Sequence, residues 1–95
     1  MKLVALVRRK EGLTPEQFRE YYEKRHAPLA SKLFSYFRGY TRNYIRHDLS
    51  HPLVGTKPPT PLDFDVITEI TFAGKQDYDR MMREMADPAI AGQIV

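Results

Sequence analysis

Tyr22 and His26 stand four residues apart in PEQFREYYEKRHAPL, a spacing that sets two side chains one helical turn apart on one face. An imidazole with a pKa of about 6.5 can take or give a proton at neutral pH. A phenol beside it could hold a substrate oxygen or polarise a carbonyl. Pro28 lacks an amide donor and disfavours helix at Ala27, so a kink or break is expected just after His26. His26 would then face the sheet from an irregular helix end, where a ligand has room. Structural roles compete with both readings: His26 bonding a carbonyl freed at the break, and Tyr22 filling the core.

Other groups are weaker candidates. Asp65 and Glu69 share a strand face but lie ~13 Å apart, too far to share a proton. Either could orient a histidine from the opposite element, or serve as solvated face or interface ion pair. His26, His47 and His51 are enough in number for a metal, yet none has the close helical spacing of HExxH-type sites, and no metal is expected. Met81, Met82 and Met85 read as gap-filling core or the pliable wall of an apolar pocket. Phe18, Tyr44 and Met82 are the residues expected to contact substrate. There is no glycine-rich phosphate loop, no Ser-His-Asp arrangement and no flavin or nicotinamide fingerprint, so no cofactor is expected. With no cysteines, thiolate catalysis, disulfides and cysteine-held metals are excluded.

The elements that must position these groups follow from periodicity. Residues 2–9 form an apolar run too short for a helix and read as a strand, apolar on both faces and so expecting cover on both. Gly12 breaks the run. Thr14, Pro15 and Gln17 then give a capping box with proline at the first helical position. The helix carries Phe18, Tyr22, His26, Leu29 and Leu33 on one stripe. Residues 40–47 alternate as a second strand, with Tyr40, Arg42, Tyr44 and Arg46 on one face. Residues 49–62 hold four prolines and read as a long irregular loop. Residues 64–72 alternate as the third strand, and 75–86 form a second helix with Tyr78, Met81, Met82 and Met85 inward. The order strand, helix, strand, strand, helix matches a ferredoxin-like βαββα(β) sandwich with an antiparallel sheet. One more strand would begin near Val95, so either it is missing or another segment fills that edge.

The 95 residues make one domain whose core, at ~60–65% of surface buried, is marginal and invites a second subunit. The +3 charge is interspersed with acids, apart from Arg8-Arg9-Lys10 and the Arg38, Arg42, Arg46 series. This basic excess reads as solvated surface, or as an attractor of an anionic ligand. Nucleic-acid proteins concentrate charge more heavily. The start of an RNP1-like motif at Arg38-Gly39-Tyr40 fails at Thr41, Arg42 and Asn43, so no nucleic-acid partner is expected. Neither a signal peptide nor a membrane span is visible, so a soluble, cytoplasmic protein is expected.

The segment RKEGLTPEQFREYYEKRHAPL resembles the EthD family pattern at Arg9, Gly12, Leu13, Thr14, Phe18, Tyr22, His26, Pro28 and Leu29. FDVITEITF is similar to the family's later strand, with Asp65 and Glu69 at its acidic positions. The resemblance implies a dimeric α/β barrel: two ferredoxin-like units packed sheet against sheet, each with a small cavity between helices and sheet. Relatives of that fold include polyketide cyclases, dehydratases, muconolactone isomerases and cofactor-free monooxygenases. Function is therefore expected to be a cofactor-independent lyase, isomerase or cyclase on a hydrophobic oxygenated small molecule, with His26 and Tyr22 catalytic. The alternative is a non-catalytic small-molecule-binding accessory protein of an oxidative degradation or biosynthetic pathway.

Overall fold

A computed structural model of the protein describes residues 1–49 and 62–94. Three antiparallel strands, β1 (Lys2–Val7), β2 (Gly39–Tyr44) and β3 (Val66–Thr71), form a sheet in the order β1-β3-β2. Helices α1 (Pro15–Tyr21), α2 (Ala27–Leu33), α3 (Lys75–Met85) and α4 (Pro88–Ile94) complete an α+β, ferredoxin-like sandwich. Each strand is shorter than its alternating sequence, because alternation marks the pleat while the ladder ends where the partner strand ends.

Register fixes which side chains meet. Leu3, Ile70 and Tyr40 form one row across the sheet; Ala5, Thr68 and Arg42 the next; Val7, Val66 and Tyr44 the third. These rows contain the sheet's buried residues, with Val66, Thr68 and Ile70 buried on the central strand. A dry cluster of Ala30, Phe34, Ile70, Phe72, Met81 and Ile94 fills one part of the interior, and Phe18, Tyr22 and Val66 form a smaller one. The opposite rows leave Val4 54% and Leu6 60% exposed, so within one chain the first strand is covered on one face only.

Two features differ from the sequence reading. Pro28 does not break the helix. Residues Tyr22–His26 make a π-helical turn in which the Ala27 amide donates to the Tyr22 carbonyl, and α2 continues directly from it. One wide turn carries the chain past a residue that cannot donate and whose ring crowds the preceding turn. The second difference lies after α3. Pro88 starts α4, with the Ala89 amide donating to the Asp87 carboxylate at 2.9 Å as a helix cap. The edge of β1 has no strand beside it among the described residues. The predicted capping box is present: the Gln17 amide donates to Thr14 Oγ1 at 3.1 Å and the Thr14 amide to Gln17 Oε1 at 2.9 Å. No helix among the described residues is long and apolar enough to cross a membrane.

Candidate functional site

The π-helical turn sets the site. Its first and last residues, Tyr22 and His26, stack with ring centroids 4.5 Å apart and planes at 23°. Both line a pocket of about 580 Å³, together with Phe18 and Tyr21 from α1, Val7 from β1 and Ile94 from α4. Leu13, Arg8 and Lys10 complete it from the turn between β1 and α1. That turn depends on Gly12, whose φ of +92° lies in the left-handed region.

His26 is half-buried. Loss of hydration pushes its pKa below the usual histidine value, and a hydrogen bond to the Ile94 backbone opposes that shift without cancelling it. The shift favours the uncharged ring at neutral pH. No carboxylate among the described residues lines the pocket, so none of them fixes a charge on the imidazole.

Tyr22 is only 4% exposed, and its hydroxyl shares a 2.9 Å hydrogen bond with Thr68 Oγ1 on the central strand. The Tyr40 phenol is also there: burial first, then the neighbouring Tyr22 hydroxyl, push its pKa up. Tyr22 therefore presents its ring to the pocket while its hydroxyl is held in the interior. Thr68 carried a signal that periodicity did not weigh, being the one polar residue in the otherwise apolar inward row Phe64, Val66, Ile70 and Phe72.

Phe18 also lines the His26 pocket, with its ring 5.4 Å from that of Tyr22. Tyr44 is not brought into it. Tyr44 meets Tyr22 edge-on from the far side, at 6.3 Å, and lines a separate cleft with Arg42, Arg46 and Asp65. Its hydroxyl donates to Glu23 Oε1 at 2.7 Å, and Arg42 Nε donates to the same oxygen at 2.7 Å. Glu23 sits in the π turn, so this pair clamps the turn to β2. The Arg42 hydrogen bond, followed by that from Tyr44, holds the Glu23 carboxyl below the usual range. Met82 lies away from the pocket and is 42% exposed. Tyr78, Met81 and Met85 face the core, and the ~100° advance per residue turns Met82 outward.

Asp65 is buried rather than on a solvated strand face. It accepts from the Arg9 amide at 2.8 Å, from the Arg9 guanidinium, and faces His47 Nε2 at 2.9 Å. Burial alone would raise its pKa, but the Arg9 amide, His47 and the Arg9 guanidinium together bring it below the ordinary value. The suggestion that an acid orients a histidine from another element thus fits Asp65 and His47. Glu69 lies on the open sheet face near Lys2 and Asn43. His51 is outside the described residues, and no metal-holding cluster occurs among those described.

The geometry can be set beside known proteins. No curated protein and no solved structure matches the chain significantly. The sequence profile of the EthD domain matches residues 10–95, which includes the capped helix, the π turn, His26 and the third strand. With the profile spanning nearly the whole chain and the sandwich in place, the protein belongs to the EthD domain family.

Proposed function

We propose that the protein is a cofactor-independent enzyme of the lyase, isomerase or cyclase type, acting on a hydrophobic oxygenated small molecule. His26 is its general acid/base. The observation that carries this is a half-buried imidazole, its pKa lowered by lost hydration, lining a largely apolar pocket with no acid beside it among the described residues. Such a base can take a proton from carbon next to a carbonyl. It can return that proton elsewhere on the skeleton in an isomerisation, or to a departing oxygen in an elimination. Tyr22 positions the imidazole by stacking and the substrate by its ring, Thr68 holding it in place. A cytoplasmic setting fits the cysteine-free sequence.

The test uses nitrobenzisoxazole, an apolar carbon acid whose ring opens when a base removes its C–H proton and the N–O bond breaks, releasing a coloured phenolate. The wild-type protein is expected to open it faster than free imidazole at the same concentration. His26→Ala should lower the rate ~100-fold with an unchanged circular dichroism spectrum. Full activity in that variant would sink the assignment. Binding of the probe that is independent of pH from about 5 to 8, with no conversion, would favour the accessory binding protein instead.

The working unit in this reading is a homodimer joined through the open sheet faces. The exposed Val4 and Leu6, with Ile67 beside Leu6 in the register, support it, and a sheet pairing would supply the second cover that β1 lacks. Sedimentation should give twice the chain mass for the wild type and a monomer for Leu6→Glu. A wild-type monomer at micromolar concentration would refute this interface.

A further inference from the structure

The Arg8-Arg9-Lys10 run has three different fates. Strand alternation sends Arg9 to the buried Asp65. Arg8 pairs with Asp63, and both side chains of that pair are largely exposed, so the contact is readily exchanged. Lys10 is exposed and has no ion-pair partner among the described residues. Arg8 and Lys10 both border the His26 pocket, where the remaining wall is Val7, Leu13, Phe18, Tyr21, Tyr22 and Ile94. Two basic residues thus border a mostly apolar space that no carboxylate among the described residues lines, and both also border a neighbouring cleft that holds Glu11, Asp63 and Asp65.

We propose that this pocket takes an anionic aromatic amphiphile. Its flat apolar body lies among Phe18, Tyr21 and Tyr22, and its carboxylate, sulfonate or acidic phenolate is held at the mouth by Lys10 and by Arg8 released from Asp63. This narrows the substrate class of the site proposed above and rests on that reading of the pocket. The arrangement separates two tasks. The cations are on the turn that follows β1, while the proton-transfer group is on the π turn, so a ligand anchored by its acid group presents a different part of its skeleton to His26. Lys10 and Arg8 are accordingly binding and specificity residues, with no part in moving the proton.

Two fluorescent probes with the same rings separate the two readings: anilinonaphthalene sulfonate, which is anionic, and phenylnaphthylamine, which is neutral. Both are titrated while the His26 ring signals are followed by NMR. The wild type should bind the sulfonate about tenfold more tightly than the neutral probe, as expected for one charge-assisted contact. That preference should shrink with added salt. Lys10→Gln should reduce it to about twofold or less, leaving the neutral probe and the circular dichroism spectrum unchanged. Equal affinity for the two probes, or a preference that survives both Lys10→Gln and Arg8→Gln, overturns the anion site. If the neutral probe still perturbs His26 in that case, the pocket reading stands. Failure of both probes to perturb His26 overturns the pocket as well.

Discussion

His26 and His47 are both partly buried imidazoles, yet their surroundings differ in kind. His26 stacks on a tyrosine in a pocket lined by no described carboxylate, its polar partner there being the Ile94 backbone. His47 meets the Asp65 carboxylate at 2.9 Å, and that carboxylate is already held by the amide and guanidinium of Arg9. The first ring is available for exchange with a ligand. The second is a tie joining the end of β1, the segment after β2 and the entry to β3. A histidine count or a motif search treats these residues alike; the charge of the neighbouring group separates them.

The largest expected effect tests the tie. Asp65→Asn removes the charge that satisfies Arg9 and His47 and leaves a buried amide in its place. It should cost about 2–3 kcal/mol of stability, the upper part of the range for hydrogen bonds to charged groups. Since Arg9 is part-exposed and can recover some hydration, a larger loss is not expected. For a chain of this size that corresponds to a fall of roughly 10 °C or more in the melting temperature. His26→Ala, which breaks no ion pair, should cost less than about 1 kcal/mol. Urea unfolding of the two variants side by side checks this. Equal losses would erase the distinction between a structural and an available histidine.

The same contrast shows what could be read from residues alone. The capped helix start was legible because Thr14, Pro15 and Gln17 act locally, through amides within one turn. The sheet rows were legible because alternation has a period of two, whatever the partners. The π turn was not, since Pro28 permits either a break or a widened turn, and continuation of packing by Leu29, Ala30 and Leu33 decides between them. The helix after Asp87 was hidden in the same way: a proline can end one helix or open the next, and the Asp87 cap decides for the second. At the site, Phe18, Tyr22 and His26 share one helix stripe and came out together. Tyr44 and Met82 were separated from them by facts that sequence spacing does not contain. These are the strand order, which puts β2 at the sheet edge, and the phase of α3 against the core. The Asp65, Arg9 and His47 network joins residues 18 and 56 positions apart, so only the fold could assemble it.

The smallest effect, and the one that most sharply separates the two regions, is the pH dependence of stability. The His26 pKa is lowered in the folded state relative to an unfolded value of about 6.5. In the interval between the two values the unfolded chain binds a proton that the folded chain resists. Stability contributed by the uncharged ring is therefore complete above about pH 6.5 and is lost as pH falls through the folded-state pKa. Asp65 has the same sign and a lower window: its pKa is also depressed, so its contribution is present above about 3.8 and is lost only in stronger acid. Two separate declines are expected when unfolding free energy is measured from pH 8 downward. His26→Ala should abolish the upper decline and leave the lower one, while Asp65→Asn should reduce the lower, Glu23 among others supplying the remainder, and leave the upper. An upper decline that persists in His26→Ala would mean that some other group resists protonation there, and the case for an uncharged, available base beside the pocket would fall with it.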